Sequence, residues 1–160
     1  MSANHQKPVI SVIVNVEVAI VRGDSHHNHN HYLMVERGAG ETYGAGWLSF
    51  PGGKLEWPGD EQDAVEATAR REAEEETGVM LGREIAYVES HTFGTDEPCL
   101  DIVVLARLAP GSPEPVIRDP EEVAALAWMT IEEIAADPRT QPWTLASLRR
   151  AEDVRTRLGW

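Results

Sequence analysis

Val9 to Val21 is rich in valine and isoleucine, with Asn15 and Glu17 set between valines. This β-branched, partly alternating block predicts one long strand, or two with a bend. Arg22-Gly23-Asp24 interrupts it and opens a polar loop through His26, His27, Asn28, His29, Asn30 and His31, before a return strand over Tyr32–Glu36. Gly38 to Gly46 is a glycine-rich connection to a short strand, Trp47–Phe50, which feeds the turn Pro51-Gly52-Gly53. The pattern then becomes helical, from an N-cap at Asp60 to a glycine stop at Gly78, where a left-handed C-terminal cap would fall. Asp63 adds negative charge near the positive end of that helix dipole.

Beyond the helix, Ile85–Phe93 and Leu100–Leu108 read as strands joined by a hairpin turn over Gly94–Pro98. A proline-rich loop, Pro110–Pro120, precedes a last short strand, Ala124–Met129. Thr130 and Glu133 form a capping box for a helix over Ile131–Ala136, which Asp137-Pro138 ends. A terminal amphipathic helix is predicted over Thr144–Leu158, with Leu145, Leu148 and Val154 inward and Arg149, Arg150 and Arg155 outward. Residues 1–8 are polar and predicted disordered, leaving one domain over 9–160. Strands, a helix, more strands and terminal helices predict an α/β fold built on a mixed sheet.

Composition narrows the setting. At 160 residues the chain has the length for one real core. A net charge of −13 argues against nucleic acid or an anionic membrane as partner, and implies that an anionic substrate needs a cation as intermediary. Cys99 is the sole cysteine, which excludes an internal disulfide and predicts a reducing, cytoplasmic home, with Cys99 itself as packing. No 18-residue apolar stretch or signal-peptide pattern occurs. A homodimer stays open. The histidines of 26–31 offer at most a weak, adventitious nickel or zinc site, because they lack a fixed ligand spacing.

The chemistry concentrates in the first helix. Glu72, Glu75 and Glu76 stand at i, i+3 and i+4, within an arc of roughly 100°. Like charges so placed repel by about 1 kcal/mol per pair at 4 Å in water, and by more where solvent is excluded. A divalent cation reverses the sign, and oxygen-only ligands suit Mg²⁺ or Mn²⁺.

In this stretch the chain resembles the Nudix hydrolase family, whose box reads Gly-x5-Glu-x7-Arg-Glu-U-x-Glu-Glu-x-Gly-U, U being a bulky aliphatic residue. Arg71 to Val79 match the second half, with Ala73 small for a U position. The first half departs. Counting forward from Gly53 puts Gly59 at the acidic position, whereas counting back from Arg71 puts Asp63 there, a difference of four residues. The middle acidic residue is therefore open among Asp60, Glu61 and Asp63.

The resemblance implies an α/β/α sandwich and Mg²⁺-dependent hydrolysis of a nucleoside diphosphate linked to another group. It implies Glu72, Glu76 and the Gly52 carbonyl as metal ligands, with Glu75 sharing that role or orienting or deprotonating water. Arg71 would pin a carboxylate. Glu122 is the expected further carboxylate outside the box, with Glu121 and Glu97 as rivals. Glu56 is expected near the metals, and Trp47, Phe93 or Trp128 would stack on a base. The proline and tyrosine that mark ADP-ribose and dinucleoside polyphosphate hydrolases are absent near Gly94–Asp96, and the Pro-Gly-Gly-Lys-Leu-Glu opening leans toward nucleoside-triphosphate pyrophosphatases. The alternatives are ADP-ribose or nucleotide-sugar pyrophosphatase, a non-catalytic nucleotide-binding module, or a metal-stabilised acidic scaffold.

Overall fold

Alternation along the first strand sorts its side chains onto two faces of a sheet, and each face carries its own helices. The computed structural model of the chain describes residues 11–23, 30–57, 59, 61–94 and 97–160. Strand β1, Ile13–Gly23, sends Val16, Val18 and Ile20 to one face and Ala19 and Val21 to the other. The first set packs under helix α1, Ala64–Thr77, against Ala69, Ala73 and Val79. The second packs under helices α2, Ile131–Ala136, and α3, Pro142–Leu158, with Ile134, Leu148 and Ala151. The result is an α/β/α sandwich in a single domain, as the resemblance implied.

Within the sheet β1 is central. It pairs in parallel with β6, Cys99–Leu108, along nine positions from Ile13↔Cys99 to Val21↔Arg107. Its other edge is divided. The N-terminal half pairs antiparallel with β4, Gly52–Lys54, and the C-terminal end with β2, Asn30–Arg37. β5, Leu81–Phe93, lies outside β6, while β3, Leu48–Ser49, and β7, Val123–Met129, flank β2.

Several expectations need correction. Arg22 and Gly23 belong to β1 and His31 to β2, because the ladder continues to Gly23↔Asn30. His26, His27, Asn28 and His29 lie outside the described residues, as does the segment 1–8. Gly52 and Gly53 are strand rather than turn, since three residues suffice to pair with β1. α1 begins after Asp63, which is left-handed (φ 55°) and makes no side-chain cap bond. Asp60, the expected N-cap, lies outside the described residues. β5 starts at Leu81, where pairing with Leu108 overrides an unpromising Gly-Arg-Glu sequence. Arg155, expected outward, is partly buried and paired with Glu152 at 2.9 Å. Gly78 caps α1 as expected, with φ 73° and its amide donating to Glu74 O. The Thr130–Glu133 capping box has both of its hydrogen bonds. No described helix is long and apolar enough to cross a membrane.

Candidate active site

α1 presents its acidic residues unequally. Glu72 and Glu76, one helical turn apart, are each 7% exposed, whereas Glu75 is exposed. The small Ala73, fully buried on the same face, lets the helix sit close to the sheet. Across from this face runs β4. Val18 N donates to Pro51 O and Leu55 N to Val14 O, so those pairs and Val16↔Gly53 are the hydrogen-bonded positions of the ladder. Gly52 and Lys54 fall between them. Their amides and carbonyls therefore point away from β1 and toward α1.

Both edges are used. The Gly52 amide donates to Glu76 Oε2 at 3.1 Å, and the Lys54 carbonyl accepts from Arg71 Nη2 at 2.9 Å. The Gly52 carbonyl points the same way as its amide and is not needed by β1. Gly53 lies against Glu72 so closely that a Cβ there would stand 2.5 Å from Glu72 Oε1.

Arg71 gathers carboxylates rather than facing solvent. It is 2.8 Å from Glu72 Oε1, 2.9 Å from Glu75 Oε2 and 3.9 Å from Glu56 Oε1. The expected triad is thus divided. Glu72 and Glu76 lie against β4, while Glu75 is drawn to the exposed side by Arg71. Among the described residues no three acidic, histidine or cysteine side chains converge as a ready-made metal cluster.

Electrostatics single out the buried pair. Burial, then the charges of Glu72 and Glu122, push Glu76 up to about 8, against the opposing hydrogen bond from Gly52. Burial also raises Glu72, with Arg71 opposing. The donors are oxygens only, and among the described residues no cation forms an ion pair with Glu76. A hard divalent cation fits such a set. Glu122, on the turn before β7, is raised by partial burial and by Asp119 and Glu41.

These shifts predict a pH dependence. Folded Glu76 keeps its proton to about pH 8, whereas the unfolded chain loses it in the ordinary carboxyl range. Its stabilising effect is complete below that range and is lost as pH rises through about 8. Melting temperatures of the metal-free protein should therefore fall steadily between about pH 5 and 8. A flat profile would contradict the burial of Glu76.

The other expected residues scatter. Glu56 is exposed, beyond Arg71. Trp47 stands edge-on between Tyr43 and Trp143, at centroid distances of 5.1 and 5.5 Å, which assigns it to packing. Trp128 lies under the Arg22 guanidinium, 4.2 Å from its ring centroid, so that face is taken. Phe93 is exposed at the end of β5 beside His91. Glu121 and Glu97 are exposed, and Glu97 is not among the principal charges acting on Glu72 or Glu76.

Two groups were missed. Arg37, at the end of β2, is tied to Glu41 and to the Tyr43 carbonyl, and its charge lowers Glu17, Glu76 and Glu122 together. Asn15, Glu17 and Asp101 form a polar patch on the α3 face of the sheet. There Asn15 Nδ2 donates to Asp101 Oδ1 at 2.7 Å, and burial, then Asp101, raises Glu17. Their signal was the polar interruptions in valine-rich strands.

A family description, NUDIX domain, matches residues 14–150. Solved structures share the architecture. The MutT NUDIX hydrolase from Burkholderia pseudomallei is 26% identical over 88% of this chain and 98% of its own, with a TM-score of 0.69. The NUDIX domain of Shewanella oneidensis NrtR, complexed with ADP ribose, is 18% identical over 96% and 94%, with a TM-score of 0.69. A C. elegans Ap4A hydrolase is 16% identical over 90% and 98%, with a TM-score of 0.67. No curated protein matches the chain.

Proposed function

From the premise that the chain belongs to the NUDIX family and is a hydrolase of pyrophosphate bonds, we propose that it cleaves the diphosphate linkage of a nucleoside diphosphate derivative with Mg²⁺ or Mn²⁺, leaning to nucleoside triphosphates. The observation that carries this reading is the pair of buried carboxylates, Glu72 and Glu76, set against the outward-facing edge of β4, with no cation ion-paired to Glu76 among the described residues.

Glu72, Glu76 and the Gly52 carbonyl would hold the cation. When bound, such an ion polarises phosphoryl oxygens and acidifies water. Arg71 fixes the Glu72 carboxylate through their ion pair at 2.8 Å. Glu122, exposed and with a raised proton affinity, is the base that takes the proton of the attacking water. Glu75, held on the open side by Arg71, orients water there or completes the ligand set. Cation addition should restore the melting temperature most at high pH, where the buried carboxylates need no proton displaced.

The test is turnover with Mg²⁺ of dGTP, 8-oxo-dGTP, ADP-ribose, nucleotide sugars and diadenosine polyphosphates side by side, read by chromatography of the nucleotide product released. Fastest release is expected from a triphosphate. Fastest release from ADP-ribose or a nucleotide sugar would move the assignment to those substrates. Binding of ADP-ribose without turnover of any member would make the chain a non-catalytic module.

A further inference from the structure

We propose that Asp119 is a positioning residue that, through the backbone amides of Glu121 and Glu122, fixes Glu122 over the carboxylates of α1. The proposal rests on the reading of Glu122 as the base.

Glu122 is exposed and sits on a loop turn, where a side chain of this kind ordinarily samples many positions. Here its backbone is tethered on every side. Asp119 Oδ1 accepts from the Glu121 amide at 3.0 Å and from the Glu122 amide at 3.3 Å, and the Asp119 carbonyl accepts from Val123 N at 2.9 Å. One residue thus satisfies three consecutive amides, as a cap does at a helix start, though only a single turn follows. The Glu122 carbonyl in turn accepts from Gly38 N at 2.6 Å.

The neighbouring glycines make this seat possible. A Cβ on Gly38 would stand 2.2 Å from the Glu121 carbonyl, and one on Gly40 would stand 3.0 Å from it. The upstream part of the loop is registered on α1 itself. Val116 N donates to Thr77 O at 2.9 Å and Arg118 N to Glu76 O at 3.1 Å, using carbonyls that the helix end leaves free. The loop that carries Glu122 is therefore bolted to the same helix that carries Glu72 and Glu76. The charge of Glu122 reaches both of those carboxylates. Asp119 closes the last link between that bolt and the backbone that carries the Glu122 side chain.

The experiment compares D119A, D119N, E122Q and the double variant D119A/E122Q on the substrate turned over fastest in the panel, with Mg²⁺. Losing the cap should lower kcat about tenfold or more while KM stays within about twofold, because a displaced base costs rate rather than binding. D119N keeps the accepting oxygen and should recover most of the lost rate. In the E122Q background D119A should cost nothing further, since residues acting as one unit are not additive. Wild-type kcat in D119A, D119N as poor as D119A, or a full additional loss in the E122Q background would each overturn the proposal. An active E122Q would instead overturn the reading of Glu122, whereas an inactive E122Q with an indifferent D119A overturns only the role of Asp119. Should D119A melt markedly lower, D119S takes its place. Its hydroxyl caps the same amides more weakly, and an intermediate kcat is expected.

Discussion

Glu76→Gln should lower kcat by at least about a thousandfold with Mg²⁺ present, while raising the melting temperature of the metal-free protein at pH 8. The two effects have one cause. Glutamine keeps the shape of the side chain, and its oxygen still accepts from Gly52 N, as Glu76 Oε2 does at 3.1 Å. What it removes is a charge that burial and the fields of Glu72 and Glu122 make costly. Without the ion that cost is pure destabilisation, so relieving it stabilises the fold. With the ion, the same charge is what holds the cation. At about pH 5 wild type and variant should melt alike, because the carboxyl is then protonated in the folded chain. Measured kcat and melts at both pH values check each part. Full activity in the variant would remove Glu76 from the ligand set.

Neighbouring glycines of β4 should respond to alanine in opposite ways. At Gly52 a Cβ would stand 2.3 Å from the Val16 carbonyl and 2.7 Å from the Glu17 Cα, which are rigid backbone of the central strand. Gly52→Ala therefore forces β4 off β1, and a stability loss of about 2–3 kcal/mol is expected by denaturant titration. At Gly53 the obstacle is the Glu72 carboxylate, the far end of a side chain. Gly53→Ala should leave stability nearly unchanged. The carboxylate must swing aside, away from its 2.8 Å contact with Arg71, and kcat should fall about a hundredfold. The pair is informative because the substitution is identical and only the obstacle differs. A destabilised Gly53→Ala with normal kcat would mean that Glu72 does not work from that position.

Much of this site was legible in the chain. The spacing of Glu72 and Glu76 put both on one helical face, and Gly78 ended the helix where a left-handed residue was needed. Local rules sufficed because each feature depends on residues within one or two turns. Glu75 was not legible in the same way. Spacing fixes its direction off the helix, but the competing pull of Arg71 decides where its carboxylate rests. The place of Trp47 depended on Trp143, far along the chain, which no local pattern reveals. The residues of β4 give a turn signal, because three residues are too few to show alternation. Asn15 and Glu17 were visible as polar residues among valines, but their meeting with Asp101 required knowing that β1 pairs with β6.

That last pairing has a consequence for how the molecule forms. Asn15 and Asp101, hydrogen-bonded partners on adjacent strands, are separated by 86 positions along the polypeptide. The innermost ladder of the sheet is thus one of its most non-local, and the entropy of closing so long a loop must be met before those contacts stabilise anything. During synthesis, β1 emerges early and waits for its parallel neighbour while α1 is already complete. Gly52 and Gly53, which lie against Glu76 and Glu72, precede that helix in the chain, whereas the Glu122 charge that also raises both carboxylates is made only with the later segment.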